Sequence, residues 1–199
     1  MQSIRHVELR SQAWSWPVVC RPFGMRPIHD QFALRVVVSI RPCEERDLEP
    51  LEWLGSFTPH RSFLRAQFER HLLGQNVFLV ADRDGYPVGQ LWIDLVARAA
   101  QRSAVFWGLR VIEPFQRLGI GQRLLAVGES VARQAGCEAV EIGVEKTNEG
   151  AARLYRRLGF EHVGEQVTEE TYVGPDGPMR HVYDQLVFRK PLRRRAARA

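Results

Sequence analysis

The chain has 199 residues, 45% of them apolar, which suffices for one domain with a sizeable core. No apolar stretch reaches the roughly 18–20 residues of a membrane span, and the N-terminal stretch around Arg5, Glu8 and Arg10 lacks the apolar run of a secretory signal. The net charge of +5 invites a nucleic-acid partner, but Arg189, Lys190, Arg193, Arg194, Arg195 and Arg198 crowd the terminus and account for it, and no nucleic-acid recognition pattern accompanies them. Cys20, Cys43 and Cys137 are odd in number and unevenly spaced, which suits a reducing, cytoplasmic compartment and excludes a disulfide framework or a zinc site.

Residues 1–33 scatter Trp14, Trp16, Pro17, Pro22, Gly24 and Pro27 without period, so an irregular extension is expected there. Leu34–Ile40 reads as the first strand. Pro42 and Cys43 lead into a helix with Glu44, Glu45 and Asp47 in its first turn, where carboxylates suit the dipole. A second helix is predicted over Pro59–Leu73. Asn76–Ala81 and Val88–Val96 flank Asp82-Arg-Asp-Gly85 as a β-hairpin. A polar turn near Ala100–Arg102 precedes a buried strand, Ala104–Ile112, dense in β-branched and aromatic residues. Leu124, Leu125, Val127, Val131 and Ala132 then recur at helical spacing until Gly136. Ala139–Val144 is a strand, Asn148–Leu158 a helix closed by Gly159, and strands at about 160–173 and 179–189 flank Gly174-Pro-Asp-Gly-Pro178. The order is β-α-α-β-β-β-α-β-α-β-β, a mixed α/β sheet over 34–190, followed by a basic tail at 191–199.

Chemistry concentrates at Gln116-Arg-Leu-Gly-Ile-Gly121, between the buried strand and the helix after it. A strand that turns through glycines into a helix aims free N–H groups and the positive end of the dipole at one point, a place for a pyrophosphate. A side chain at either glycine would hold a phosphate oxygen away from the backbone. The hexapeptide alone is weak, since glycine near ~7% of residues produces it by chance in about one of every few chains. It lacks the Gly-Lys-Ser/Thr ending of a nucleotide P-loop, and G-x-G-x-x-G would need glycine at Leu124.

A companion motif follows: Asn148-Glu-Gly-Ala-Ala-Arg-Leu-Tyr-Arg-Arg-Leu-Gly-Phe160, with Ala151, Leu154, Tyr155 and Leu158 on one helical face. That face reads mostly as core, with Tyr155 a packed aromatic and Asn148 a helix N-cap. With Leu109 and Val111 on the preceding strand, the two linked motifs resemble the GNAT superfamily of acetyl-CoA-dependent N-acetyltransferases over roughly residues 34–190. The resemblance implies acetyl-CoA as acyl donor, no metal, and an amine as acceptor. It implies that the backbone of Leu109, Arg110 and Val111 pairs with the pantetheine arm, in a slot where the strand splays from its neighbour near a bulge. It implies that Gln116, Arg117, Leu118, Gly119, Ile120, Gly121 and Gln122 hold the pyrophosphate, that Asn148 contacts the arm, and that Tyr155 protonates the leaving thiolate. Leu118 stands where the family often has a cation.

Family members that acetylate protein N-termini often carry a glutamate where this chain has Gly143, within Ile142-Gly143-Val144. Glu145, Glu141, Glu113 and Asp94 are the substitutes, with Asp94 and Glu145 kept as candidate bases, although either also reads as a surface charge. Trp53, Phe57, His60, Phe63 and Phe68, with Glu165, Glu169, Glu170 and Tyr172, are offered by the segments that line acceptor pockets in the family; aromatics beside carboxylates suit a cationic amine. The expected function is acetyl transfer to a primary amine of a small molecule or peptide. A non-catalytic acyl-CoA-binding domain and a nucleic-acid-associated modifier using the basic tail are the rivals, and a homodimer is left open.

Overall fold

The computed structural model describes residues 36–174 and 177–192. The expected extension 1–33, the start of the first strand at Leu34, Pro175 and Asp176 of the last turn, residues 193–199 of the basic tail, and the side chains of Glu170 and Tyr172 lie outside the described residues. The chain divides into two compact units, Met1–Val37 and Val38–Ala199, and the architecture below is that of the second.

Its strands are β1 (Ser39–Pro42), β2 (Asn76–Arg83), β3 (Tyr86–Asp94), β4 (Ser103–Val111), β5 (Ala139–Glu145), β6 (Glu161–Gly174) and β7 (Gly177–Pro191). Its helices are α1 (Arg61–Leu72), α2 (Ile120–Gln134) and α3 (Glu149–Arg157). The strands form one mixed sheet in the order β1-β2-β3-β4-β5-β7-β6, the predicted α/β class. The β2–β3 hairpin turns on Asp84 and Gly85, at φ 52° and 85°, a two-residue primed turn closed by the Gly85 N–H donating to Asp82 Oδ1 at 2.8 Å.

Two predicted elements differ. The first strand starts at Ser39. The expected first helix is two 3-10 turns, Glu45–Asp47 and Pro50–Glu52. Pro50 lacks the N–H that an α-helix would use, and Trp53, Leu54 and Gly55 run at positive φ, so the segment cannot propagate. Asp47, expected at the solvent end of a helix, is instead buried, accepting two bonds from Arg41 (2.6 and 2.8 Å) and one from the Glu44 N–H (2.7 Å).

Each sheet face carries its own core. On one, α2 presents Ile120, Leu124, Leu125 and Ala132 to Leu91, Ile93 and Phe106, and Tyr155 of α3 joins Ile142 and Phe188. Fully burying Leu124 or Leu125 contributes about 1.5–3 kcal/mol each. On the other face Leu51, Leu64 and Phe68 pack on Phe78, Val80 and Trp92.

The sheet divides in its middle. β4 and β5 run parallel and pair only from Ser103↔Ala139 to Phe106↔Ile142. Beyond that point β4 stays with β3 as far as Gly89↔Val111, and β5 stays with β7 as far as Glu145↔Gln185. A notch opens between Trp107–Val111 and Gly143–Glu145. Its cause is a bulge in β4: Gln90 pairs with Arg110 but Trp92 with Trp107, one extra residue on β4. Gly108 provides it at φ 59°, with the Trp92 ring so close that a Cβ would lie 2.3 Å from it. Gly108→Ala is therefore expected to cost about 2 kcal/mol or more, from overpacking and a left-handed backbone, as a lower urea midpoint at unchanged slope.

Candidate active site

The loop after β4 is held by its apolar residues and open at its polar ones. Leu118 is half-buried against the core and Ile120 is buried, while Gln116, Arg117, Gly119, Gln122 and Arg123 are exposed. Arg117 and Gly119 both take positive φ, 61° and 84°, and Gly119 is the N-cap of α2 with no capping side chain. The Arg123 N–H reaches Gly119 O at 3.1 Å as the helix begins, which leaves the N–H groups of Ile120, Gly121 and Gln122 facing outward with the dipole behind them. A Cβ on Gly121 would meet no atom within 4 Å, so nothing in the chain itself requires glycine there. An open glycine among free amides fits a phosphate that must reach the backbone. Gln116 Nε2 donates to Val111 O at 2.9 Å, tying the loop to the end of β4.

Leu109, Arg110 and Val111 form the β4 side of the notch, all half-buried. They also wall a cavity of about 560 Å³ with Trp53, Phe57, Tyr86 and Gln116. The Arg110 guanidinium lies 3.9 Å from the centroid of Phe57, a cation–π contact. Trp53 Nε1 donates to Pro87 O at 2.8 Å, fixing this lip of the cavity on β3.

Tyr155 packs in the core of the opposite sheet face. Its ring packs against Phe160 and Phe188, at 5.8 and 5.9 Å between centroids. Phe188 pairs with Ile142, the last β5 residue bonded to β4, so Tyr155 stands level with the point where the strands part. Burial pushes its phenol well above the ordinary value, and its hydroxyl makes no hydrogen bond among the described residues. Asn148 caps α3, its Oδ1 accepting from the Ala151 N–H at 3.0 Å.

The four carboxylates considered as bases separate. Asp94 ends β3, five residues from Gly89, the partner of Val111; at ~3.3 Å per residue that is about 17 Å along the strand. It is also buried rather than a surface charge. Burial acts to raise its pKa, but the N–H groups of Ala97 and Val96 and the Arg70 guanidinium outweigh this and hold the carboxyl below its ordinary range. Asp94 anchors the turn after β3, binding Arg70 Nη2 at 2.9 Å and both amides at 2.8 Å. Glu141 is tied to Arg189 at 3.0 Å and faces Arg98 at 3.7 Å. Glu113 sits in the 3-10 turn after β4 and lines the cavity. Glu145 ends β5 across the notch, exposed, its carboxylate without a hydrogen bond or ion pair among the described residues.

Among the expected acceptor residues, Trp53 and Phe57 line the cavity, whereas Phe68 is core and Phe63 stacks on Trp92 and Trp107. Glu165 is bound by Lys146 at 2.6 Å, which also holds Asp184 at 2.9 Å, and Glu169 is bound by Arg180. Sequence reasoning missed Gly108, Trp92 and the Arg110–Phe57 contact. An isolated glycine within a strand pattern is the signal that could have placed the bulge.

The sequence pattern of the Acetyltransferase (GNAT) family matches residues 43–160. The chain belongs to this family. The mycothiol acetyltransferase of Propionibacterium freudenreichii subsp. shermanii is 33% identical over 110 residues, covering 55% of this chain and 29% of that protein. The chain thus matches under a third of the length of that curated relative. In fold it is similar to the ribosomal-protein-S18-alanine N-acetyltransferase of Escherichia coli, at TM-score 0.60 and 17% identity over 82% of this chain and 99% of the other. It is similar too to YncA of Salmonella typhimurium, solved with its cofactor acetyl-CoA, at TM-score 0.60 and 20% identity over 80% and 96%. Among the described residues no cluster of His, Cys, Asp and Glu could hold a metal, and no helix is long and apolar enough to cross a membrane.

Two substitutions separate ligand from scaffold. Gly121→Leu is expected to leave the thermal midpoint unchanged or raised and to weaken coenzyme A binding at least tenfold by calorimetry. Asp94→Asn is expected to lower stability by about 1–2 kcal/mol with kcat within twofold of wild type.

Proposed function

We propose that the chain transfers the acetyl group of acetyl-CoA directly to a primary amine of a small molecule or peptide. The observation that carries this reading is the notch between β4 and β5, bordered by β4 backbone groups that β5 does not pair and followed by the open glycine junction. Acetyl-CoA supplies an activated thioester. The free N–H groups of Ile120, Gly121 and Gln122 hold its pyrophosphate, and Arg117 and Leu118 set the shape of the loop. Leu109, Arg110 and Val111 bind the pantetheine arm through their main chain as an added strand, with Asn148 beside it. A β4 amide left unpaired at the notch stabilises negative charge developing on the acyl oxygen, a contribution of about 2.7–4 kcal/mol for one fixed donor.

The amine nitrogen forms the new C–N bond and gives up a proton, the C–S bond breaks, and the thiolate is protonated. Tyr155 donates that proton and is reprotonated from solvent. Phenol and thiol ordinarily differ by about 1.5 pKa units, ~10 against ~8.5. Burial widens the gap on the tyrosine side. The same burial raises the thiol when it leaves beside Tyr155, which brings the two back together. Glu145, on the open side of the notch, attracts a cationic acceptor. The similar proteins include a mycothiol acetyltransferase and an N-alpha-acetyltransferase, so a small-molecule or a peptide acceptor fits.

Thiol release from acetyl-CoA with a panel of primary amines tests the reading. Turnover with at least one amine is expected, and tight coenzyme A binding without any turnover would replace it with a non-catalytic acyl-CoA-binding role. Tyr155→Phe is expected to lower kcat at least tenfold with KM for acetyl-CoA unchanged; an unaltered kcat would return Tyr155 to packing alone.

A further inference from the structure

The β5 side of the notch carries a glycine inside a strand. Gly143 is the first β5 residue past the seam with β4, between Ile142 and Val144. Ile142 and Val144 are buried in the α2–α3 core, so strand alternation turns positions 143 and 145 to the α1 face. A glycine within a strand weakens it and marks the close approach of another group. Here that group is the Gln185 side chain of β7. A Cβ at position 143 would stand 2.7 Å from Gln185 Oε1 and 3.1 Å from its Cδ, so the carboxamide lies over Gly143 at the edge of the notch. β6 fixes its orientation: Gln166 Nε2 donates to Gln185 Oε1 at 3.0 Å, and the Thr168 hydroxyl donates to the same oxygen at 3.5 Å. With Oε1 engaged, Nε2 is the remaining donor. It makes no hydrogen bond among the described residues and is not closed off from solvent.

Glu145 is the direct partner of Gln185 in the β5–β7 ladder, so the two side chains share this face with Cβ atoms about 4.5–5.5 Å apart. One offers an exposed carboxylate, the other a half-buried amide donor held in place. Side by side they match an ammonium and a carbonyl oxygen carried on neighbouring carbons. We propose that Gln185 selects the acceptor: its Nε2 donates to a carbonyl oxygen on the carbon next to the one bearing the amine, while Glu145 faces the ammonium. The proposal rests on the acetyltransferase reading and names the acceptor class for it, an α-amino amide. An amine without that oxygen strips water from the half-buried donor and returns no hydrogen bond, which is how a polar site rejects an analogue. Gly143 has its reason in the same contact, since any side chain there would push the carboxamide out of register with the acceptor.

The test is the ratio of kcat/KM for alaninamide to that for isopropylamine, in which a methyl group replaces the carboxamide. Measured at the same pH in wild type and variants, the comparison cancels the different basicities of the two amines. Gln185→Leu is expected to lower the ratio about tenfold, with KM for acetyl-CoA unchanged. Gly143→Ala, which displaces the carboxamide without altering its atoms, should lower the ratio in the same direction. Wild-type transfer to alaninamide and none to isopropylamine is the strongest form of the expected result. A ratio within about twofold of wild type in Gln185→Leu, equal losses on both amines included, would overturn the assignment and leave Gln185 a packing residue, with the acetyltransferase reading intact. Transfer by the wild-type chain to other amines but not to alaninamide would overturn it in the same way. Absence of transfer to every amine would overturn both. Should Gln185→Leu fail to fold, Gly143→Ala decides by the same ratio, and an unchanged value refutes the proposal.

Discussion

The contact between Trp92 and Gly108 governs the rest of the site. A tryptophan ring occupies the space where any Cβ at position 108 would stand, and the backbone there must turn left-handed. The extra residue this inserts into β4 leads it away from β5 after a short shared stretch. Without the bulge, β4 and β5 could continue as an ordinary parallel pair, and their main-chain groups would be satisfied by each other. With it, the amides and carbonyls of Trp107–Val111 on that side face a gap, apart from the Val111 carbonyl, which accepts from Gln116 Nε2. An obligation to pair, unmet within the fold, becomes an affinity for an extended ligand.

The notch also separates two chemistries. The α2–α3 face carries the glycine junction at 116–121 and Tyr155, while the α1 face carries Trp53, Phe57 and the Arg110 guanidinium.

Much of this was legible in the residues. The Asp84-Gly85 hairpin, the glycine junction at 116–121 and the α3 motif are local: turn chemistry and apolar period decide them within a few positions. The extents of β2 to β7 followed to within a few residues for the same reason. What escaped was non-local. The first helix failed because Pro50 and the positive-φ run at Trp53–Gly55 interrupt it, and because Asp47 found Arg41 across the turn. Asp94 shares a sheet face with Trp92, as alternation predicts, yet its distance from Val111 along β3 depends on a register no periodicity reveals. Arg110 was read only for its backbone, since nothing in the sequence brings Phe57 beneath its guanidinium.

The brevity of the β4–β5 seam has a mechanical consequence. Four residue pairs, Ser103↔Ala139 to Phe106↔Ile142, join the β1–β4 half of the sheet to the β5–β7 half. A donor molecule seated in the notch would bridge those halves as a non-covalent strand, completing a structural joint as well as delivering a reactant. Its binding energy would then add directly to the resistance of the sheet against unfolding, by about 2.7 kcal/mol at a hundredfold excess over Kd. The equilibrium stability of such a protein would rise and fall with the supply of its acyl donor.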